Sequence, residues 1–379
     1  MPATVEKMGQ QFNGANLRLA RVFHGLSLDD LAREVGKSRQ FLHKLETNSS
    51  LEPTAELARE LSRQLRVCKD FFFQPQGDLL PEEGVHFRKL FTTRSAIKQA
   101  AMAKAQMFLR LVNFLEQHLD LPAVSIPNVP DISTADDIEQ AAELCRREWG
   151  LGLGPIDNMV RVAERAGAVV TTFNSVSAEV DALSYSLKRP VIVRNDAKRS
   201  ACRQRFDIAH EVGHFVLHQG LQTGNRVTES QANRFASAFL LPRSMMAAHW
   251  PKPRGSRLDW VGMSQFKLNW KVSKAAMLYR ARQLDLIDDS QYKSGVITLR
   301  RTGEAISERE DKQIPLEQPN MVRQSLDILF TKGGMAPQRV ADGLGWTLPL
   351  LEEVVGIPLR TSDQSTAEII SLEAFRRSA

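Results

Sequence analysis

His210-Glu211-Val212-Gly213-His214 carries the residue types and spacing of a metal-dependent hydrolase. Two histidines at i and i+4 stand one above the other on a helix face, about 6 Å apart along the axis. Their ring nitrogens can then converge on one Zn²⁺ at ~2.0–2.1 Å each. Glu211 follows the first histidine, so its carboxylate sits beside the metal, where it can take a proton from water. His218 lies one turn beyond His214 and roughly 12 Å from His210 along the axis, so His210 and His218 cannot share an ion. His214 with His218 could, but only the first pair has the glutamate placed as a base. The bland alternative is a set of ordinary histidines on a half-buried helix.

The helix that must position them reads over residues 203–218. Phe206, Ile208, Ala209, Val212, Phe215, Val216 and Leu217 supply its apolar positions, and Gly220 ends it. Gly213 costs roughly 1 kcal/mol of helix stability against Ala, which close packing near the metal would explain. A zinc hydrolase needs a third protein ligand and an open position for water. Thr228 with Gln231 predicts a capping box that makes Glu229 the first residue of a second helix. Asn233 falls one turn on, on the same face. Glu229 would then be a ligand and Asn233 an amide able to fix a ligating imidazole. The alternative for Glu229 is simple complementation of the helix dipole.

These motifs resemble the ImmA/IrrE-type metallopeptidases. The similarity runs through Arg203-Gln204-Arg205-Phe206-Asp207-Ile208-Ala209-His210-Glu211-Val212-Gly213-His214-Phe215, the Glu-x-x-Ala-Asn-x-Phe-Ala helix from Glu229, and Leu240-Leu241-Pro242 at its end, near the family's Leu-Leu-x-Pro. It extends back over Val180-Asp181-Ala182-Leu183-Ser184-Tyr185 and Arg189-Pro190-Val191-Ile192-Val193-Arg194-Asn195, which resemble the family's paired strands. Ala182 departs from the family's usual Gly at the turn there. The resemblance covers about residues 150–245. It implies His210, His214 and Glu229 as zinc ligands, Glu211 as general base, and a regulatory protease acting on a repressor that carries a helix-turn-helix domain.

A second signal lies near the start of the chain. Ser27 caps one helix with Asp30 answering it, Gly36 makes a turn, and Ser38 caps the next. This predicts a helix-turn-helix similar to the phage-repressor-like (XRE) class over residues 13–73, with 39–46 in the recognition position. Arg39, Gln40, His43 and Lys44 would meet base edges or phosphates. Residues 1–75 hold eleven Lys/Arg against nine Asp/Glu, a weak footprint for DNA, so docking onto protein stays open as the alternative. Positive charge concentrates instead over 85–115 and 188–205, which predicts an anionic partner near the zinc helix.

The 379 residues with net charge +6 predict an α+β, mostly α protein. The expected units are an XRE-like domain (1–75), a helical connector (76–130) that includes a family-like Phe87-Arg88 pair, a zincin-like peptidase domain with a small sheet (131–260), and a helical, helix-turn-helix-like domain (261–379). Residues 288–312 read as polar and irregular. The strand around Ile192 would offer its free edge to an extended substrate, with Tyr185 as an oxyanion donor. Three cysteines, Cys68, Cys145 and Cys202, cannot all pair and point to a reducing compartment; one could cap the metal. No leader or membrane-spanning run is legible, so the expected location is the cytoplasm. The expected function is a Zn²⁺-dependent endopeptidase that cuts a repressor in a stress, phage-defence or mobile-element response, possible DNA contact modulating it. The alternatives are a DNA-binding regulator whose zinc domain senses, and an antitoxin-like partner protein.

Overall fold

The computed structural model describes residues 11–48, 50–75, 80, 85–87, 95–173, 182–186, 188–195, 200–221, 223–253, 255 and 257–359. Among them the chain is mostly helical with one small sheet, the α+β class expected. The N-terminal bundle comprises α1 (Gly14–Phe23), α2 (Leu28–Glu34), α3 (Arg39–Thr47) and α4 (Ala55–Leu65). The expected caps form: Ser27 and Asp30 make a reciprocal capping box, and the Ser38 hydroxyl accepts from the Phe41 N–H. Gly36 sits between them at φ +61°, where a side chain would be strained. Helix α3 buries Leu42 and Leu45 and leaves Arg39, Gln40, His43 and Lys44 exposed.

The next elements are β1 (Val85–Phe87), α5 (Ser95–His118), α6 (Ala135–Glu148), α7 (Met159–Arg165), β2 (Val169–Phe173), β3 (Ala182–Ser186) and β4 (Pro190–Asn195). The strand order is β1-β3-β4-β2, with β2 parallel to β4 and the other pairs antiparallel. Ile192 pairs with Ser184 on one side and Val170 on the other. The strand around Ile192 is therefore interior and offers no free edge; β3 and β2 use its backbone groups on both sides. Alternation then sorts the side chains. Val169, Tyr185, Val191 and Val193 enter one core, and Val170 and Ile192 the other.

The rest of the chain is helical: α8 (Ala201–Leu217), α9 (Arg226–Leu240), α10 (Arg243–His249), α11 (Trp260–Trp270), α12 (Lys274–Gln283), α13 (Asp289–Arg301), α14 (Met321–Thr331), α15 (Pro337–Leu344) and α16 (Leu348–Val355). Helices α6 to α13 share the second core, whereas α14 to α16 join the N-terminal bundle and α5 in the first. Trp346 is fully buried there, and the chain around it pairs with the segment after α4 through Cys68 N–H to Gly345 O (2.8 Å) and Thr347 N–H to Arg66 O (3.1 Å). The described residues of the expected C-terminal unit, 261–359, are thus divided between two cores.

Residues 288–312 are not irregular. Asp288 and Gln291 form a capping box that starts α13, and a 3-10 turn covers Arg309–Gln313. The acids that make this stretch look polar are partners: Lys267 Nζ meets Glu308 (2.6 Å) and Asp311 (2.5 Å), and Lys274 Nζ meets Glu304 (2.6 Å) and Glu310 (2.8 Å). A second tie joins the cores. Glu317 accepts from Arg205 and from the Met159 and Val160 N–H groups at the start of α7. Glu164 of α7 in turn accepts from the Asn320 and Met321 N–H groups at the start of α14. Each carboxylate thereby satisfies otherwise orphaned helix donors.

Candidate metal centre

Helix α8 carries the histidine pair through the middle of the second core; only Arg203 and Phe206 of its residues escape full burial. It crosses α9 so closely that a Cβ on Gly213 would stand 3.0 Å from the Phe235 ring. That contact supplies the reason for a glycine in mid-helix. Helix α9 starts earlier than the Thr228–Gln231 pattern predicts, because Asn225 is the cap and its Oδ1 takes the N–H groups of Val227 and Thr228. Glu229 consequently sits one turn inside the helix, facing α8 rather than serving as its first residue.

The fold brings His210, His214 and Glu229 into one group. The two Nε2 atoms are 3.1 Å apart, and the Glu229 carboxylate oxygens lie 3.4 Å from His210 Nε2 and 3.3 Å from His214 Nε2. Three ligands at ~2.0–2.1 Å around a tetrahedral ion stand about 3.3–3.4 Å from one another. The donor set, two imidazoles and a carboxylate, and its triangle both fit Zn²⁺. Burial works against the ionised Glu229, but hydrogen bonds and charge from both histidines outweigh it and hold the carboxyl well below its ordinary range. His210 Nδ1 lies 3.0 Å from Asn233 Oδ1, as the one-turn spacing on α9 predicts.

Glu211 is buried, and Ser184 on β3 donates to its Oε2 at 2.5 Å. Sequence reasoning passed over Ser184, although alternation from Tyr185 places it on the α8 side of the sheet. Tyr185 points the opposite way: its ring is buried in the other core and its hydroxyl bonds the Ala105 carbonyl (3.3 Å). It is therefore no oxyanion donor. The tyrosine that reaches this region is Tyr279 on α12. With Phe206, Glu229, Asn233, Ser237 and Ala276 it lines an open groove of about 460 Å³ beside the metal group. His218 is buried behind His214, and loss of water pushes its imidazole down to about 4 despite an opposing bond to Gln231.

Residues 163–282 match a peptidase family described as the IrrE N-terminal-like domain, and residues 17–70 match one described as Helix-turn-helix. The chain joins an IrrE-like peptidase domain to a helix-turn-helix domain. No curated protein matches it. The IrrE-like family is of the metallopeptidase type and generally zinc-dependent. Its match begins in α7 and ends in α12, so it spans β2, β3 and β4, both metal-side helices and the groove wall, and leaves out β1.

Other sequence expectations fare differently. Of the basic run over 188–205, Arg189 is buried on Glu116 and the Pro122 and Gly167 carbonyls, and Arg194 on Gln204 and the Glu317 carbonyl. Those two cations hold the fold and present no charged face. From the run over 85–115, Arg110 turns inward onto Asn16, and burial pushes it down to about 10. Phe87 ends β1, whereas its neighbour Arg88, Lys89, Arg94, Asp196, Lys198 and Arg199, together with residues 180 and 181 of the family-like strand, lie outside the described residues. The three cysteines are unpaired; burial pushes Cys145 and Cys202 up to about 12, and none joins the metal group. No helix among the described residues is long and apolar enough to cross a membrane.

Proposed function

We propose that the chain is a zinc-dependent endopeptidase with a regulatory role that cuts a helix-turn-helix repressor. The observation that carries this reading is the His210–His214–Glu229 triangle, with edges of 3.1, 3.3 and 3.4 Å, beside a buried glutamate at the position next to His210. His210, His214 and Glu229 would hold the ion. Bound zinc would supply Lewis acidity, lowering the pKa of water and polarising a peptide carbonyl. Glu211 takes the proton from the attacking water and returns it to the leaving amine. Ser184 fixes the rotamer of Glu211 by donating to Oε2, so the carboxylate stays aimed during both transfers. Asn233 holds the His210 ring from behind.

The groove beside Glu229 is where a substrate side chain would lie, with Phe206, Ala276 and Tyr279 as apolar walls. Tyr279→Ala is expected to raise KM for peptide substrates several-fold with little change in kcat, since it removes contact area without touching the reacting atoms. Steady-state kinetics check this, and an unchanged KM would put the substrate elsewhere. The exposed Arg39, Gln40, His43 and Lys44 on α3 support DNA contact through the recognition helix, with DNA tethering or modulating the protease.

The reading is tested by metal analysis of protein purified without chelator, together with mass spectrometry of repressor incubated with it. About one zinc per chain, diminished in Glu229→Ala, and metal-dependent fragments of the repressor are the expected results. Zinc bound without cleavage would favour the DNA-binding regulator with a sensing zinc domain. No zinc bound, and none taken up on addition, would sink the peptidase reading.

A further inference from the structure

Two imidazoles converge on the metal position, and each is gripped from behind by α9 in a different way. His210 Nδ1 meets an amide oxygen directly, that of Asn233 at 3.0 Å. His214 Nδ1 lies 3.0 Å from Nδ1 of His218, whose Nε2 lies 2.9 Å from Gln231 Oε1. We propose that His218 is the positioning residue for His214 and that Gln231 sets its tautomer, so that an imidazole–imidazole–amide chain orients the second metal ligand. The proposal rests on the reading of His210, His214 and Glu229 as a zinc site.

The chemistry of the chain is fixed by counting protons. A contact between two Nδ1 atoms holds one proton, on one ring or the other. If His214 is to give its Nε2 lone pair to a metal, its proton sits on Nδ1 and donates to His218. His218 then accepts at Nδ1, carries its own proton on Nε2, and donates that to the Gln231 oxygen that faces it. The reverse arrangement would put a proton on His214 Nε2, aimed at His210 Nε2 3.1 Å away, and would set the His218 Nε2 lone pair against the Gln231 oxygen. The first direction satisfies the Nδ1–Nδ1 and Gln231 contacts together and leaves both Nε2 lone pairs facing the position an ion would fill, so it is the one that prepares His214 as a ligand. His218 is 3 % exposed and its ring centroid is 5.1 Å from that of His214, so water does not compete for the acceptor position.

The arrangement also accounts for the spacing on α9. Glu229 reaches the metal position, Gln231 the far end of the His214–His218 chain, and Asn233 the back of His210. One helix would thus supply a ligand and fix both others, as partners behind metal-bound imidazoles do elsewhere.

The test uses full-length protein and reads zinc affinity by competition with a chromophoric chelator, alongside the visible spectrum of the Co²⁺-loaded form. His218→Phe keeps a buried ring but removes the acceptor, and is expected to weaken zinc binding about 10–100-fold. His218→Asn places Oδ1 near the former Nδ1 and is expected to restore affinity to within a few-fold of wild type, with a wild-type-like Co²⁺ spectrum. Chelator-stripped His218→Phe and His218→Asn are expected to melt together, which separates positioning from packing. Nitrogen NMR of histidine-labelled, zinc-loaded protein is expected to show His218 protonated at Nε2. Wild-type affinity in His218→Phe, equal losses in the Phe and Asn variants, or a proton on His218 Nδ1 would each overturn the proposal. Failure of the zinc reading itself looks different: the wild type would take up neither Zn²⁺ nor Co²⁺, and the positioning role would fall with it.

Discussion

Glu211→Gln is expected to keep zinc and to lose peptide cleavage by ~10²–10⁴-fold, the range for removing a general base. The amide matches the carboxylate in shape and can still accept from Ser184 through its oxygen, so the packing between β3 and α8 should hold. It cannot accept a proton from water at neutral pH. His214→Ala makes the contrast, because it removes one vertex of the ligand triangle and should lose zinc and cleavage together. Metal analysis and single-turnover cleavage on the same preparations separate the two. Proteolysis retained in Glu211→Gln would assign the base to another group.

Glu317→Ala is expected to destabilise the protein by ~3–5 kcal/mol, the cost of leaving a buried charge without its partner. Arg205 is 1 % exposed and pairs with Glu317, while the other Glu317 oxygen takes the Met159 and Val160 N–H groups. Removing the carboxylate strands a guanidinium and two helix donors at once. Arg205 lies on α8 little more than a turn before His210, so zinc affinity should fall along with the unfolding midpoint. The Arg205→Met/Glu317→Leu pair removes both charges and is expected to recover much of the loss. Denaturant unfolding followed by two probes is the check, since the two cores need not unfold in one step. A midpoint unmoved by Glu317→Ala would mean that water reaches Arg205 when the carboxylate is gone.

Much of the candidate site was legible because it is written at helical spacing. His210 and His214 are one turn apart, and so are Glu229 and Asn233; a helix converts those offsets into shared faces whatever surrounds it. The paired caps of the N-terminal domain were legible for the same reason, since Ser27–Asp30 and Ser38–Phe41 act over three residues. The start of α9 was misjudged where two cap signals competed. Asn225 and Thr228 can both accept from helix donors, and the chain uses the earlier one.

The residues misread are those whose role depends on a distant partner. Tyr185 and Ser184 are neighbours in sequence, yet pleating sends the tyrosine to Ala105 and the serine to Glu211. Arg189, Arg194 and Arg205 look like a basic surface until Glu116, the Gln204 amide and Glu317 are folded against them. The acids of 304–311 look like solvated loop until Lys267 and Lys274 come into view. Periodicity and caps are local, and they determined the helices, the imidazole pair and the carboxylate that faces it. Which strand lies inside the sheet, which charges are buried, and which core receives α14 to α16 depend on pairings across hundreds of residues, where no local spacing carries the information; those the tertiary structure alone decided.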